Sequence, residues 1–263
     1  MSRKPQLISA FLLILALFGC YSEVIATHIR AGEITAIKIS NYKYVFRITG
    51  YRDVQGGEVD FGQGTLDFGD GSDPVSLAPF NARVISISEE VEQVYKEVTH
   101  TFPGNREFTI SYTELNRNGD VVNMDNSIST PFHVETTLLI HGAVGTNSSP
   151  SFLVPPVDQG VFGVAFIHNP GAFDLDGDSL SFEMAVPKLG IDTDVNGYLA
   201  PNDPVFYENY TLGNENQDGV PTFSIDAQTG TLIWDAPGGK GLPDKSEFNL
   251  AFVPIGDFGQ IAS

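Results

Sequence analysis

Apolar and polar residues alternate strictly along much of this chain, and helical spacing is not found. In YKYVFRITGYR (42–52), Tyr42, Tyr44, Phe46, Ile48 and Gly50 fall on one face, and Lys43, Val45, Arg47, Thr49 and Tyr51 on the other. A period of two sends successive side chains to opposite sides of a pleated strand, so one face packs and the other is more polar. Similar β-branched and aromatic runs are GEITAIKI (32–39), ARVISIS (82–88), REFTISYTEL (106–115), LSFEMAV (180–186), GTLIW (230–234) and EFNLAFV (247–253). Turn signals such as Gly56-Gly57, Asn118-Gly119-Asp120 and Gly238-Gly239 separate them. No stretch supports a helix of three turns. The pattern predicts an all-β protein made of β-sandwiches rather than a helical or βαβ architecture.

The small and polar stretch GAVGTNSSPSF (142–152) divides two strand-rich halves. One sandwich is expected over 27–143 and a second over 144–263. The second contains a stretch from Gly190 to Pro221 dense in Asp, Asn, Gly and Pro, and a loop of that length inside a domain usually carries a function or a ligand. After FNLAFV the chain runs into PIGDFGQIAS with no evident last strand, so the second sandwich is expected to be truncated at its C-terminal side.

The N-terminus changes the setting. Arg3 and Lys4 precede an apolar run from Leu7 to Gly19, too short to span a bilayer comfortably, followed by small residues. This is the layout of a secretory signal peptide, expected over residues 1–26. Val24-Ile25-Ala26 fits cleavage before Thr27. Leu17-Phe18-Gly19-Cys20 resembles a lipoprotein box, although Phe18 is bulky for its position; the reading adopted is cleavage after Ala26. The expectation is an exported protein, at the cell surface or outside the cell, with no membrane span in the mature chain.

Charge narrows the partners. The chain carries 14 Lys and Arg against 33 Asp and Glu, a net charge of −19, and loss of Arg3, Lys4 and Glu23 makes the remainder one unit more negative. Such a surface repels nucleic acid and anionic lipid. Cys20 is the single cysteine, so disulfides cannot staple the mature protein, and its core or bound cations must hold it.

Two resemblances are carried by quoted motifs. LDFGDGSDP (66–74) and THTFPGNREFTISYTELNRNG (99–119) resemble a polycystic-kidney-disease-type (PKD) immunoglobulin-like domain, which pairs an F-G-D-G turn with a later H-T-[FY] strand start. Here Pro103-Gly104 brings the glycine one place early. Read physically, Gly69 and Gly71 permit a tight turn and Asp70 ties local backbone amides. NSSPSF (147–152), FDLDGDSLSF (173–182) and FSIDAQTGTLIW (223–234) resemble the ordered motifs of bacterial cadherin-like modules. With THIRAGEIT (27–35), NSISTPFHVET (126–136) and LIWDAPG (232–238), the chain resembles the N-terminal region of gliding-motility-associated bacterial surface proteins. The resemblance implies two tandem Ig-like and cadherin-like β-sandwich domains after a signal peptide.

Likeness to cadherin-like modules also implies calcium, and the residues permit it. Asp174, Asp176 and Asp178 alternate along one segment, and Gly177 lets the backbone bend among them. Calcium takes about six to eight oxygens at roughly 2.3–2.6 Å, and a divalent ion would relieve repulsion among three carboxylates. The same residues also read as a β-turn whose aspartates cap amides and stay solvated. In strong cadherin sites the linker contributes acids, whereas this one offers Asn147, Ser148 and Ser149. A second acidic loop, DTDVNGYLAPND (192–203), places Asp192, Asp194, Asn196, the Tyr198 carbonyl and Asp203 at calcium-loop positions. Pro187, Pro201 and Pro204 argue against flanking helices there, and a turn-rich acidic loop is the reading preferred.

The histidines at 28, 100, 133, 141 and 168 show no zinc-ligand spacing. There is no G-x-S-x-G elbow, no phosphate-cradling loop before a helix and no cysteine nucleophile in the mature chain. The expected function is therefore a non-catalytic structural or adhesion module at the cell surface, contacting surface proteins or glycans and stabilised by calcium. The alternative is a carbohydrate-binding module in which Tyr207 and Tyr210, in the long loop, stack on sugar rings.

Overall fold

The computed structural model describes residues 29–53, 61–78, 83–86, 91–115, 117–141, 147–256 and 261–262. The expected signal peptide with Cys20, the Gly56-Gly57 turn and linker residues 142–146 lie outside the described residues. The chain is all-β: strands and three single-turn 3-10 segments occur among the described residues, and no α-helix does. No helix there is long and apolar enough to cross a membrane.

In chain order the first half contributes β1 (Ile29–Ser40), β2 (Lys43–Asp53), β3 (Thr65–Asp67), β4 (Val75–Ser76), β5 (Arg83–Ser86), β6 (Val91–Thr101), β7 (Arg106–Glu114) and β8 (Phe132–Ile140). The second contributes β9 (Phe166–His168), β10 (Leu180–Ala185), β11 (Lys188–Gly190), β12 (Thr193–Asp194), β13 (Phe223–Ile225), β14 (Leu232–Trp234), β15 (Ala251–Gly256) and β16 (Ile261–Ala262). One sheet has the order β1-β2-β6-β5, and a larger one the order β10-β15-β16-β8-β7-β3-β4. Two small sheets complete the set, β13-β14-β9 and β11-β12. All the strand pairings are antiparallel.

The alternation in β2 has its expected consequence. Tyr44, Phe46 and Ile48 are completely buried and meet β6, β7 and β8 residues across the first core, which runs from Ile29 to Ile140 in sequence. Phe46 lies 5.4 Å from Phe68 and 5.9 Å from Phe102, ring centre to ring centre, so aromatic edges and faces fill the space between the two sheets. Thr49 and Tyr51, on the face expected to be polar, are also buried, so this end of β2 is covered on both sides.

The F-G-D-G turn is a local construction anchored at both ends. Asp67 accepts the Gly69 amide at 2.8 Å, and Asp70 accepts the Ser72 amide and hydroxyl at 2.9 and 2.6 Å. Gly69 has φ +65°, and a side chain there would press within 2.3 Å of the Thr109 carbonyl, so only glycine fits. His100 Nε2 meets Asp70 Oδ2 at 2.8 Å while its ring stacks on Phe68 at 3.8 Å. Burial pulls the Asp70 carboxyl upward, but the Ser72 bonds and His100 outweigh it and hold the pKa at about 2.

The second half is built differently. Its sheet β13-β14-β9 is three residues deep, and its turns rest on side-chain bonds: Asp226 accepts the amides of Gln228 and Thr229 at 2.9 and 2.7 Å. The T-G turn that follows carries Gly230 at φ +68°, against the Phe182 ring of β10. The long stretch after Gly190 wraps inward through Phe206, which packs edge-on against Phe248 at 5.0 Å. The larger sheet crosses the linker, since β10 and β15 reach β8 through β16. The two halves read from the sequence are thus joined by sheet hydrogen bonds as well as by covalent chain.

Candidate functional sites: an acidic clasp and an interfacial cavity

The three aspartates of 174–178 turn toward amides. Asp174 Oδ1 accepts the backbone amides of Asp176 at 2.7 Å and Asp178 at 3.3 Å, closing the loop on itself around Gly177, whose φ is +88°. Asp176 Oδ2 accepts the Ser148 amide at 2.7 Å, and the Asn147 side-chain amide donates to Asp178 Oδ2. Asn147, Ser148 and Ser149 are themselves buried. They pass the connection on: the Ala36 amide donates to Ser149 Oγ and the Ser149 amide to the Ala36 carbonyl, both at 2.8 Å, and the Lys38 amide donates to Ser148 Oγ at 3.2 Å. Since β1 is the outer strand of its sheet, these residues cover groups of an otherwise open edge. A continuous set of bonds therefore runs from β1 through the linker to the aspartate loop.

This geometry bears on calcium. The carboxylates point to separate amide donors rather than to a common centre. Among the described residues no group of three or more His, Cys, Asp or Glu side chains is arranged to hold a metal ion.

The second acidic loop is divided among several tasks. Asp192 occupies a left-handed turn position at φ +53°, and Thr193–Asp194 pairs with β11 as a short hairpin. The Asn196 carbonyl accepts the Asp125 amide at 2.9 Å, and the Asp125 carboxylate lies over Gly197. Asp203 caps a 3-10 turn by accepting the Val205 amide at 2.9 Å. Val195 is buried beside Val121 and Met124, with Tyr198 packed against them and its hydroxyl pushed up to about 12 by burial. These residues anchor the loop to the segment 121–125. Tyr207 is likewise buried: its hydroxyl donates to the Ala236 carbonyl and accepts from Trp234 Nε1, each at 3.0 Å. Tyr210 packs edge-on against it at 5.9 Å. The pair holds the loop to the Trp234 strand, and the Tyr207 ring is not offered to solvent.

A cavity of about 1110 Å³ opens between the halves, a site that the sequence reading did not find. Its walls come from β1, β8, β9, β10, β14 and β15. Arg117 stands in it almost fully buried and donates to Asn249 Oδ1 at 2.9 Å, the Lys188 carbonyl at 2.7 Å and the Pro131 carbonyl at 3.2 Å. All three acceptors are neutral, and burial lowers the guanidinium to about 10, leaving it charged at neutral pH. Glu33 is 6 % exposed, and burial raises its carboxyl to about 7, against the lowering effects of the Tyr51 hydroxyl and Arg47. Lys188 Nζ pairs with Glu135 at 2.5 Å, and His133 Nε2 meets the same carboxylate at 3.0 Å. Burial pushes Glu135 up, but these two partners outweigh it and hold it below the usual range. His168 Nδ1 meets Asp158 at 3.3 Å.

Asn118 opens the Asn118-Gly119-Asp120 turn signal, Arg117 precedes it, and Glu33 lies in the GEITAIKI run. The quoted motifs contain these residues but do not mark them as parts of a site, because much of the cavity lining comes from the second half. No family model, curated protein or solved structure matches the chain.

Proposed function

We propose that the protein is a non-catalytic scaffold or adhesion module of an exported, gliding-motility-associated type of surface protein. In this reading an Ig-like PKD-type sandwich is followed by a cadherin-like unit. The bond path from Ala36 and Lys38 through Ser148 and Ser149 to Asp176 supports it, because a spacer must hold its parts at a fixed angle and these bonds brace the linker on both sides. Replacing Asp176 with Ala is expected to loosen the junction. Small-angle scattering should show a broader distance distribution, and limited proteolysis should cut faster around 142–153, while far-ultraviolet dichroism stays that of a β-protein. Identical scattering and cleavage in wild type and variant would reject the brace. Surface location is tested by protease treatment of intact expressing cells, where protection of the chain contradicts it.

Calcium enters this proposal as a competitor of the brace. An ion bound at Asp176 Oδ2 and Asp178 Oδ2 would compete with Ser148 and Asn147 for these oxygens. Titration to the millimolar concentrations at which weak extracellular sites fill is expected to leave the melting temperature unchanged; a rise with one bound ion would replace the brace by a metal site.

A further inference from the structure

The larger sheet is laid open at the cavity. In the order β10-β15-β16-β8, the two-residue β16 stands between a strand of six residues and one of nine. It pairs with both: Ile261 opposes Ile255 of β15 and Thr137 of β8, and Ala262 opposes Thr136. One strand therefore fits between β15 and β8, antiparallel to each, at about 4.8 Å from either. Past Ala262 the same lane runs on between Phe252 and Val134, then between Ala251 and His133, and these four residues line the cavity. Gly32 of β1 lies against the Phe132 ring, and Lys188 Nζ reaches Glu135. Residues 132 and 135 point to opposite faces of β8, so β1 and the Lys188 segment flank the lane on either face of the sheet.

Main-chain groups face the lane from both sides. Phe182 of β10 donates its amide to the Ala227 carbonyl at 3.0 Å, and Pro254, opposite it in β15, has no N–H. That pair exchanges no bonds, and bonded and non-bonded pairs alternate along an antiparallel ladder. Met184 and Phe252 are then also a non-bonded pair, which turns the Phe252 N–H and C=O away from β10 and toward β8. Carried through Ile261, the alternation turns the main-chain groups of Thr137, Glu135 and His133 toward β15.

We propose that this lane is a strand acceptor: it takes an extended peptide segment of a partner protein as a further strand between β8 and β15, antiparallel to both. A peptide offers a donor and an acceptor at each residue, at the spacing that a strand edge repeats. β16 displays the fit by filling the start of the lane. The lining also sets the side-chain pattern. Val134 and Phe252 stand on the core face, where Phe252 packs against Phe152 at 5.5 Å, and call for an apolar residue between them. His133 and Ala251, one position on, stand on the other face and suit a small polar one. Apolar and small polar residues therefore alternate in the segment. It is uncharged or basic, since a chain of net charge −19 repels an acidic one. The cavity is wider than the lane, and the rest of the segment lies along Phe166 and Trp234. Strand addition in general extends an outer edge; here the added strand has a neighbour on both sides.

The lane is independent of the scaffold reading, since the brace and the lane use different residues. The test is calorimetric titration of the purified chain with capped peptides of about six residues, the usual strand length, in which valine and threonine alternate. A peptide of the same composition arranged in two blocks is the control, and the alternating one is expected to bind about tenfold more tightly. Methylating single amide nitrogens of the alternating peptide should weaken it about tenfold at each of two successive positions, one lost hydrogen bond apiece. Successive amides of an inserted strand bond β8 and β15 in turn. Phe252→Ala should weaken binding several-fold, with melting curves confirming that the variant folds. Loss at every second amide only would place the peptide on an outer sheet edge and overturn the proposal. Equal binding of the two peptides, or no binding of either, would also overturn it. So would self-association that Phe252→Ala abolishes, which gives the lane to a second copy. A melting temperature raised only when the alternating sequence is fused after Ser263 would instead give it to a continuation of this chain.

Discussion

The first core and the second half reach order by different physics. Between the first two sheets, large apolar side chains interleave without interruption, and the buried set extends over most of eight strands. In the second half the strands of the small sheet are three residues long. Aspartate-capped turns, the Tyr207–Trp234 bond and edge-on aromatic pairs maintain the shape. A core of the first kind tolerates no loss of volume and unfolds as a unit; bonds of the second kind fail one turn at a time. The contrast explains where the ligand-sized space lies: it forms where the well-filled sandwich meets the sparsely filled half.

The largest expected effect sharpens this difference. Phe46→Ala should cost about 3–5 kcal/mol, the range for truncating a buried aromatic, and should lower the melting temperature of the entire chain. Trp234→Ala is expected to cost somewhat less, about 3 kcal/mol, and to act locally. Hydrogen exchange should rise over 200–240 while β2 and β6 stay protected. Uniform loss of protection in Trp234→Ala would show that the two regions form one cooperative unit.

Much of this division was legible beforehand, and its limits are instructive. Alternation in β2 identified Tyr44, Phe46 and Ile48 as core, because a period of two is a local property of a strand. The turn at Asp70 was legible for the same reason, since its bond to the Ser72 amide spans two residues. The burial of Glu33, Thr49 and Tyr51 was not, because contact with distant segments covers the outer face of β1 and β2. The 174–178 loop shows the same boundary. Its turn bonds follow from spacing, but the choice of Ser148 and Asn147 as partners depends on a contact some thirty residues away. Tyr207 and Tyr210 looked available for sugar stacking from composition alone; packing against Trp234 commits Tyr207 to the loop.

A second effect probes the meeting of the halves by pH. The folded Glu33 carboxyl has its pKa raised from 4.5 to about 7, so the folded state holds this proton more tightly than the unfolded chain does. Between those values folding takes up a proton, and stability falls as pH rises, by about 3 kcal/mol across the window from this group. Denaturant unfolding of Glu33→Gln is expected to lack that part of the slope. An unchanged pH profile would place the carboxylate in water and dissolve the buried cluster around the cavity.

The smallest effect concerns the brace itself. Ser149→Ala removes the acceptor of the Ala36 amide at a buried site and should cost about 1–2 kcal/mol. Chemical denaturation reads this directly; a change below about 0.3 kcal/mol would mean that water replaces the hydroxyl at no loss.

The most direct test of the brace is amide hydrogen exchange at Ala36, Ser148 and Ser149 in the unmodified protein. Bonds that fix the linker to β1 and to the aspartate loop require these amides to exchange slowly, within the range of the β2 and β6 amides. Exchange at the rate of an open, solvated linker would contradict the fixed junction on which the scaffold reading depends.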